Sequence, residues 1–196
     1  MEALRQPIED GKITISRANA SLTYPCSAMV VCAMNPCPCG FHGHPKRECT
    51  CPEGAAKRYL ARISGPLLDR IDIHIEVPPV DFDKLSSRVP SECSADIKKR
   101  VNAARRIQQE RLKGTGVSCN AKMDAALTKR FCRPTPEALA LLEEVFEKLD
   151  FSARAYDKVL RVSRTIADLE GCESIEASHI AQAVQYRSLD RKLWRK

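Results

Sequence analysis

Four cysteines fall within one short stretch, "AMNPCPCGFHGHPKRECTC", as Cys37-x-Cys39 and Cys49-x-Cys51 with nine residues between the pairs. Four thiolates about 2.3 Å from one ion close a tetrahedral zinc site, and a loop this poor in apolar residues needs such a staple to be ordered. The pairs are C-x-C rather than the more usual C-x2-C, which holds the two thiolates of a pair more tightly, and Pro38 presets the first turn. Structural zinc leads; unliganded thiols and a redox or disulfide role stand as alternatives. Four cysteines leave no open position for catalysis, and no base is placed to activate one of them as a nucleophile. His42 and His44 are expected as exposed loop residues, one of them a substitute ligand only if a cysteine lies too far away.

Several elements must position this loop. "MEALRQPIEDG" spaces Ala3, Leu4 and Ile8 as a helix end, with Gly11 as its stop. "KITISRANASLTYP" alternates as a β-hairpin with a turn near residues 18–20. "SAMVVCAM", directly before the cysteines, has the continuous apolar character of a parallel strand buried on both faces. After the loop, residues 53–63 read as a helix broken by Gly65-Pro66. "LLDRIDIHIEVPP" then alternates at Ile71, Ile73, Ile75 and Val77 as a half-buried strand closed by Pro78-Pro79, the boundary of the first domain. Beyond it, helices are predicted over 95–113, 136–148, 153–170 and 175–186, with Thr135 and Ser152 as N-caps and Gly114 and Gly171 as stops. The third of these should bury Tyr156, Val159, Leu160, Ser163, Ile166 and Ala167.

The chain has 196 residues, 43% of them hydrophobic, enough for a substantial core. No apolar run approaches the roughly 20 residues that span a bilayer, and the start lacks the regions of a signal peptide, so no membrane partner and a cytoplasmic location are expected. The six scattered cysteines fit a reducing compartment. The net charge of +7 is concentrated: residues 97–133 carry eleven Lys/Arg against two Asp/Glu. Such a segment is the footprint of a phosphate-facing surface or, equally, of a solvated helix face. Ile97, Val101, Ala104 and Ile107 should face the core and leave Lys98, Lys99, Arg105 and Arg106 outward as candidate DNA contacts.

At "MVVCAMNPCPCG", "RISGPLLDRIDIHIEVPPV" and "FSARAYDKVLRVSRTIADLEG" the chain resembles the magnesium-chelatase-like AAA+ ATPases of bacteria, in their competence-type, ComM- and YifB-like branch. The likeness runs from "EALRQPIEDGKITISRA" to "HIAQAVQYRSLDRKLW". It implies that Asn35, at the end of the apolar run, is the sensor 1 residue beside the γ-phosphate, where a neutral amide orients water. It likewise implies that Arg70 is the arginine finger reaching a neighbouring subunit's nucleotide, and that Arg154 is the sensor 2 cation closed over the triphosphate by a lid. By the same resemblance, "GKITISRANASLTYP" is the hairpin pointing into a ring's central pore, with Lys12 and Arg17 as candidate DNA contacts. Residues alone would make Asn35 a strand cap and Arg70 one half of a surface ion pair with Asp69 or Asp72; Arg161 and Arg164 read as structural or intersubunit charges.

The departure from the family is the absence of a G-x-x-x-x-G-K-[ST] loop and of an apolar strand ending in Asp-Glu, the groups that hold ATP and magnesium. The expected architecture is therefore α/β plus an all-α lid: residues 1–79 form the C-terminal half of an AAA+ core, with hairpin and parallel strands, and residues 80–196 a helical-bundle lid domain. The expected function is that of part of an ATP-driven hexameric DNA motor, inactive as an ATPase by itself. ATP and magnesium would serve only the intact protein. A metal-chelatase motor, or a zinc-stapled DNA-binding or adaptor module without ATPase role, are the alternatives.

Overall fold

The computed structural model describes residues 2–80, 86, 91–149 and 151–187. The chain divides into two compact units, one ending at Ile71 and the other beginning at Asp72.

In the first unit, a 3-10 turn at Glu2–Leu4 leads into α1 (Arg5–Asp10). Gly11 ends it with a φ of 62°, where only glycine is unstrained, and its N–H bonds back to the Pro7 carbonyl. The hairpin forms as expected, from β1 (Lys12–Arg17) and β2 (Ala20–Pro25). Its register pairs Lys12 with Pro25 and Arg17 with Ala20, so Ala18 and Asn19 make a two-residue turn. Ile13 opposite Tyr24 and Ile15 opposite Leu22 share one face. On the other, the hydroxyls of Thr14 and Thr23 lie 3.1 Å apart and those of Ser16 and Ser21 3.0 Å. Every hairpin residue is exposed.

The strand expected over "SAMVVCAM" does not form: Met29 is 90% and Val31 82% exposed. A parallel strand takes its hydrogen bonds from neighbours, and the β1–β2 pair is the only sheet among the described residues. The same reason removes the strand expected at Ile71–Val77, where Ile73, Ile75 and Val77 are exposed. Helix α2 (Ala55–Leu60) is shorter than expected at both ends. The Gly65-Pro66 break is instead one helical turn, α3 (Gly65–Leu68). Ser64 caps it by accepting the Leu67 N–H, Pro66 sits in the first turn where its missing donor costs nothing, and Leu67 and Leu68 are buried.

The second unit is helical: α4 (Ser94–Arg111), a 3-10 turn at Asn120–Lys122, α5 (Ala125–Phe131), α6 (Pro136–Leu149), α7 (Ala153–Glu170) and α8 (Ala177–Gln185). Both expected N-caps are made: Thr135 Oγ1 accepts the Ala138 N–H and Ser152 Oγ the Ala155 N–H. Gly171, at φ 73°, closes α7. Helix α7 is the axis of the core. Its Ala155, Val159, Leu160 and Ile166 pack with Leu112, Met123, Leu142, Ile175, Ile180 and Ala183 in a buried cluster, and Tyr156 meets Phe146 edge-on at 5.9 Å. Burial of this kind is worth about 1.5–3 kcal/mol for each large side chain.

One expectation for α4 fails. Ile97, Val101 and Ile107 are exposed, and only Ala104 and Gln108 of this helix are buried. The buried face is set by a polar contact, since Gln108 Oε1 accepts the Asn120 N–H. Asn120 in turn donates to Asp168, and Arg111 and Arg164 both pair with the same carboxylate. Arg164 also donates to the carbonyls of Cys172 and Glu173, tying the loop that follows α7 back to the helix. Arg164 is thus structural, and so is Arg161, which donates to the Met123 carbonyl at 2.6 Å.

Candidate metal centre

The cysteine loop turns on its glycines. The Gly40 N–H bonds to the Cys37 carbonyl at 3.0 Å and Gly40 has a φ of 83°, a conformation that brings Cys39 back beside Cys37. The second pair arrives from the far side of the loop. Sγ of Cys37 lies 3.3 Å from that of Cys39 and 3.8 Å from that of Cys49, and Cys39 and Cys49 are 3.5 Å apart. All four sulfurs, Cys51 included, lie within 4.8 Å of one another. Zinc–sulfur bonds of about 2.3 Å in a tetrahedron give sulfur–sulfur edges of about 3.8 Å, close to these spacings. A disulfide would need about 2.05 Å, and all ten cysteines are free thiols. Cys37 is fully buried and the other three are half-buried.

The electrostatics show what the cluster lacks by itself. The Phe41 backbone N–H draws the Cys39 thiol down to about 5, against the opposing effect of burial. Cys51 goes the other way, to about 12: the Cys39 backbone N–H favours its thiolate, but contact with the Cys39 thiol, burial and the Cys37 and Cys49 thiols outweigh that bond. Cys37 is lowered although burial opposes it, because the His42 backbone and the Cys49 and Cys51 thiols donate to it; Cys49 is raised. Four crowded thiols share their protons instead of ionising together. A divalent cation would release them all. The all-sulfur donor set suits a thiophilic tetrahedral ion and not magnesium, which takes oxygen ligands.

Neither histidine joins the sulfurs. His44 Nδ1 accepts the N–H groups of Lys46 and Arg47 at 3.0 and 3.1 Å, so this ring organises the loop, and His42 is exposed.

The other residues singled out by sequence are dispersed. Asn35 is exposed, two positions before Cys37. Arg70 is half-buried; it donates to the Pro66 carbonyl at 2.7 Å and pairs with Glu9 of α1. Arg154 is exposed in the first turn of α7. One turn on, Lys158 was not singled out. Its ammonium is 11% exposed and 2.5 Å from Asp72, and burial lowers its pKa despite that carboxylate. The i,i+4 spacing from Arg154 was the available signal. Lys12 and Arg17 are exposed at the two ends of β1. Lys98, Lys99, Arg105 and Arg106 are exposed on α4; Lys99 pairs with Asp96, while the other three have no carboxylate partner among the described residues.

Residues 1–85 match the family model of the magnesium chelatase subunit ChlI, and residues 91–187 match that of its C-terminal region. The chain belongs to the magnesium-chelatase-like family. Within it, the chain is 42% identical over 194 residues to the uncharacterized protein YifB of Escherichia coli and 41% identical over 194 residues to the competence protein ComM of Haemophilus influenzae. An uncharacterized protein of Mycobacterium tuberculosis is 33% identical over 187 residues. These alignments cover 95–98% of this chain and 37% of each relative's length. Among the described residues no helix is long and apolar enough to cross a membrane.

Proposed function

We propose that this chain is the sensor, finger and lid portion of a ring-forming, ATP-driven motor that acts on DNA in competence or recombination. The observation that carries the reading is the unbroken likeness to the competence protein ComM across 98% of the chain. In this reading residues 1–79 contribute to an AAA+ core, where the apolar segments at 28–34 and 71–77 serve as strands once flanked by the rest of its sheet, and residues 80–196 contribute the lid. Asn35 orients the attacking water, Arg70 reaches the nucleotide of the next subunit in a hexamer, and Arg154 closes over the phosphates. The loop and acidic pair that hold ATP and magnesium are not in this sequence, so Asn35 and Arg154 act on a nucleotide whose main binding groups the rest of the intact protein supplies. Cys37, Cys39, Cys49 and Cys51 hold one structural zinc, which orders the loop.

Arg70 in its present setting is bound by Glu9 and Pro66, so a finger role requires it to exchange that carboxylate for a phosphate. The test uses the full-length protein. Arg70→Ala should reduce ATP turnover by about 10³-fold or more while nucleotide binding persists. An unchanged rate removes Arg70 from this role. The present chain alone should release no phosphate from ATP.

A second reading follows the family description, a motor for metal insertion into a tetrapyrrole. The basic segment at 97–133 favours DNA over it, with Lys98, Arg105 and Arg106 exposed and without a carboxylate partner among the described residues. DNA-independent turnover stimulated by a partner protein would favour the chelatase reading.

A further inference from the structure

Beside the sulfur cluster, Pro38, Ala55, Arg58, Tyr59 and Arg62 line an open groove of about 470 Å³. Arg58 lies in the last turn of α2 and Arg62 two residues beyond its end, and both line the groove. Two like charges this close repel, and a structural role for them would be expected to supply a carboxylate. Neither arginine has one among the described residues, and neither do Lys57 and Arg47 nearby, whereas Arg70, Arg100, Arg111 and Arg164 are all paired. The segment 41–62 carries five Lys/Arg against two Asp/Glu.

The cations are interleaved with aromatic rings. The Arg62 guanidinium lies 5.9 Å from the Tyr59 ring centre and the Arg47 guanidinium 5.3 Å from that of Phe41, with both rings half-buried and so half-available. Arg58 lies back against the turn at Gly54, where a Cβ would come 3.1 Å from its Nη1; at φ 71° this glycine is the residue the turn demands. Unpaired arginines supply phosphate contacts. Tyr59, stacked with Arg62 in the open groove, supplies a face for an unpaired base, which a duplex does not offer.

We propose that the groove between the cysteine loop and α2 binds single-stranded nucleic acid, with Arg58 and Arg62 on consecutive phosphates and Tyr59 stacked on a base. The proposal rests on the DNA reading above but assigns a different surface from α4 and a different strand form. The cysteine cluster's role is to fix Pro38 as one wall of the groove.

The test measures anisotropy of a labelled oligothymidylate and of a duplex of equal length against the 196-residue chain at several salt concentrations. Arg58→Ala with Arg62→Ala should weaken the single strand by about tenfold at low salt and lower the salt slope by about 1.4, at about 0.7 per lost phosphate contact. Tyr59→Leu should weaken it by about tenfold with the slope unchanged, and Tyr59→Phe should bind as the parent does, because stacking needs the ring and not the hydroxyl. These side chains are outside the core, and zinc content and circular dichroism check that each variant is folded. Unchanged affinity in the double arginine variant overturns the proposal; if a Lys98, Arg105 and Arg106 triple alanine variant then loses binding, the DNA reading survives at α4 alone. Equal weakening of duplex and single strand, or competition by polyglutamate at matched charge, also overturns it. A parent chain that binds neither nucleic acid overturns both readings.

Discussion

The two units reach order by different means. In the helical unit, Val159, Leu142, Ile175 and Ile180 are inaccessible to solvent, and the apolar stripes of α6, α7 and α8 cover one another. In the first unit Met29, Val31, Leu22 and Tyr24 stand exposed, and local devices do the ordering: a left-handed glycine after α1, a two-residue hairpin turn, a serine cap on α3 and the sulfur cluster. Mutual burial makes a helix bundle cooperative, whereas local devices fix short segments one at a time. The helical unit should therefore melt as one, and the first unit should depend on its metal.

The sharpest way to break that comparison is to strike the helical unit at its polar centre. Asp168→Ala leaves Arg111 and Arg164 facing each other without a carboxylate, and removing one partner of a buried pair costs about 3–5 kcal/mol. Urea titration followed by circular dichroism should show the helical transition moved to much lower denaturant. A shift below about 1 kcal/mol would mean that apolar packing alone holds the unit.

Metal removal should have the opposite distribution. Chelator treatment or Cys49→Ser should reduce zinc from about one per chain to none and raise amide exchange through residues 37–51, with the helical transition unmoved. Metal-free protein with a protected loop would dismiss the staple.

A smaller effect comes from Cys132. Burial pushes this thiol up to about 12, against an ordinary value of 9.0, with the Arg164, Arg111 and Arg161 charges only partly offsetting it. Below pH 9 both folded and unfolded chains keep the proton. Between 9 and 12 only the unfolded chain loses it, so stability falls as pH rises through that window. At pH 10 unfolding should be about tenfold more favourable from this residue, and Cys132→Ala should flatten that alkaline limb in pH-dependent melts. Smallest is Gly171→Ala, which puts a Cβ on a residue at φ 73° and should cost about 1 kcal/mol in the same titration.

The same contrast separates what the sequence made legible from what it hid. Helices α6 and α7 were readable nearly to the residue because the caps, the stop at Gly171 and the apolar spacing are local signals that agree with the packing. Helix α5 was missed, although Asp124 was there to be read as its cap, because seven residues give too little periodicity. The burial of Arg164, Asp168 and Asn120, with Arg111 half-buried beside them, was invisible, since periodicity arguments place polar and charged residues outside. Strands were assigned at "SAMVVCAM" and Ile71–Val77 from residue type, but a strand exists only where a second backbone lies beside it. For the cysteine loop, spacing pointed to the four thiols that the structure brings together, while the exclusion of His44 came from two backbone bonds that no spacing rule contains.

The hairpin carries a geometric constraint on whatever it touches. Lys12 and Arg17 are five residues apart on one strand, so their side chains leave opposite faces of the ribbon, Lys12 on the hydroxyl side and Arg17 on the side of Ile13 and Ile15. Their attachment points are separated by about 17 Å at roughly 3.4 Å per residue, the length of about five phosphates along one strand of a duplex. A polymer gripped by both cations at once must run lengthwise along the ribbon's edge, like a cable on a rail, and one that crosses the tip meets Arg17 alone.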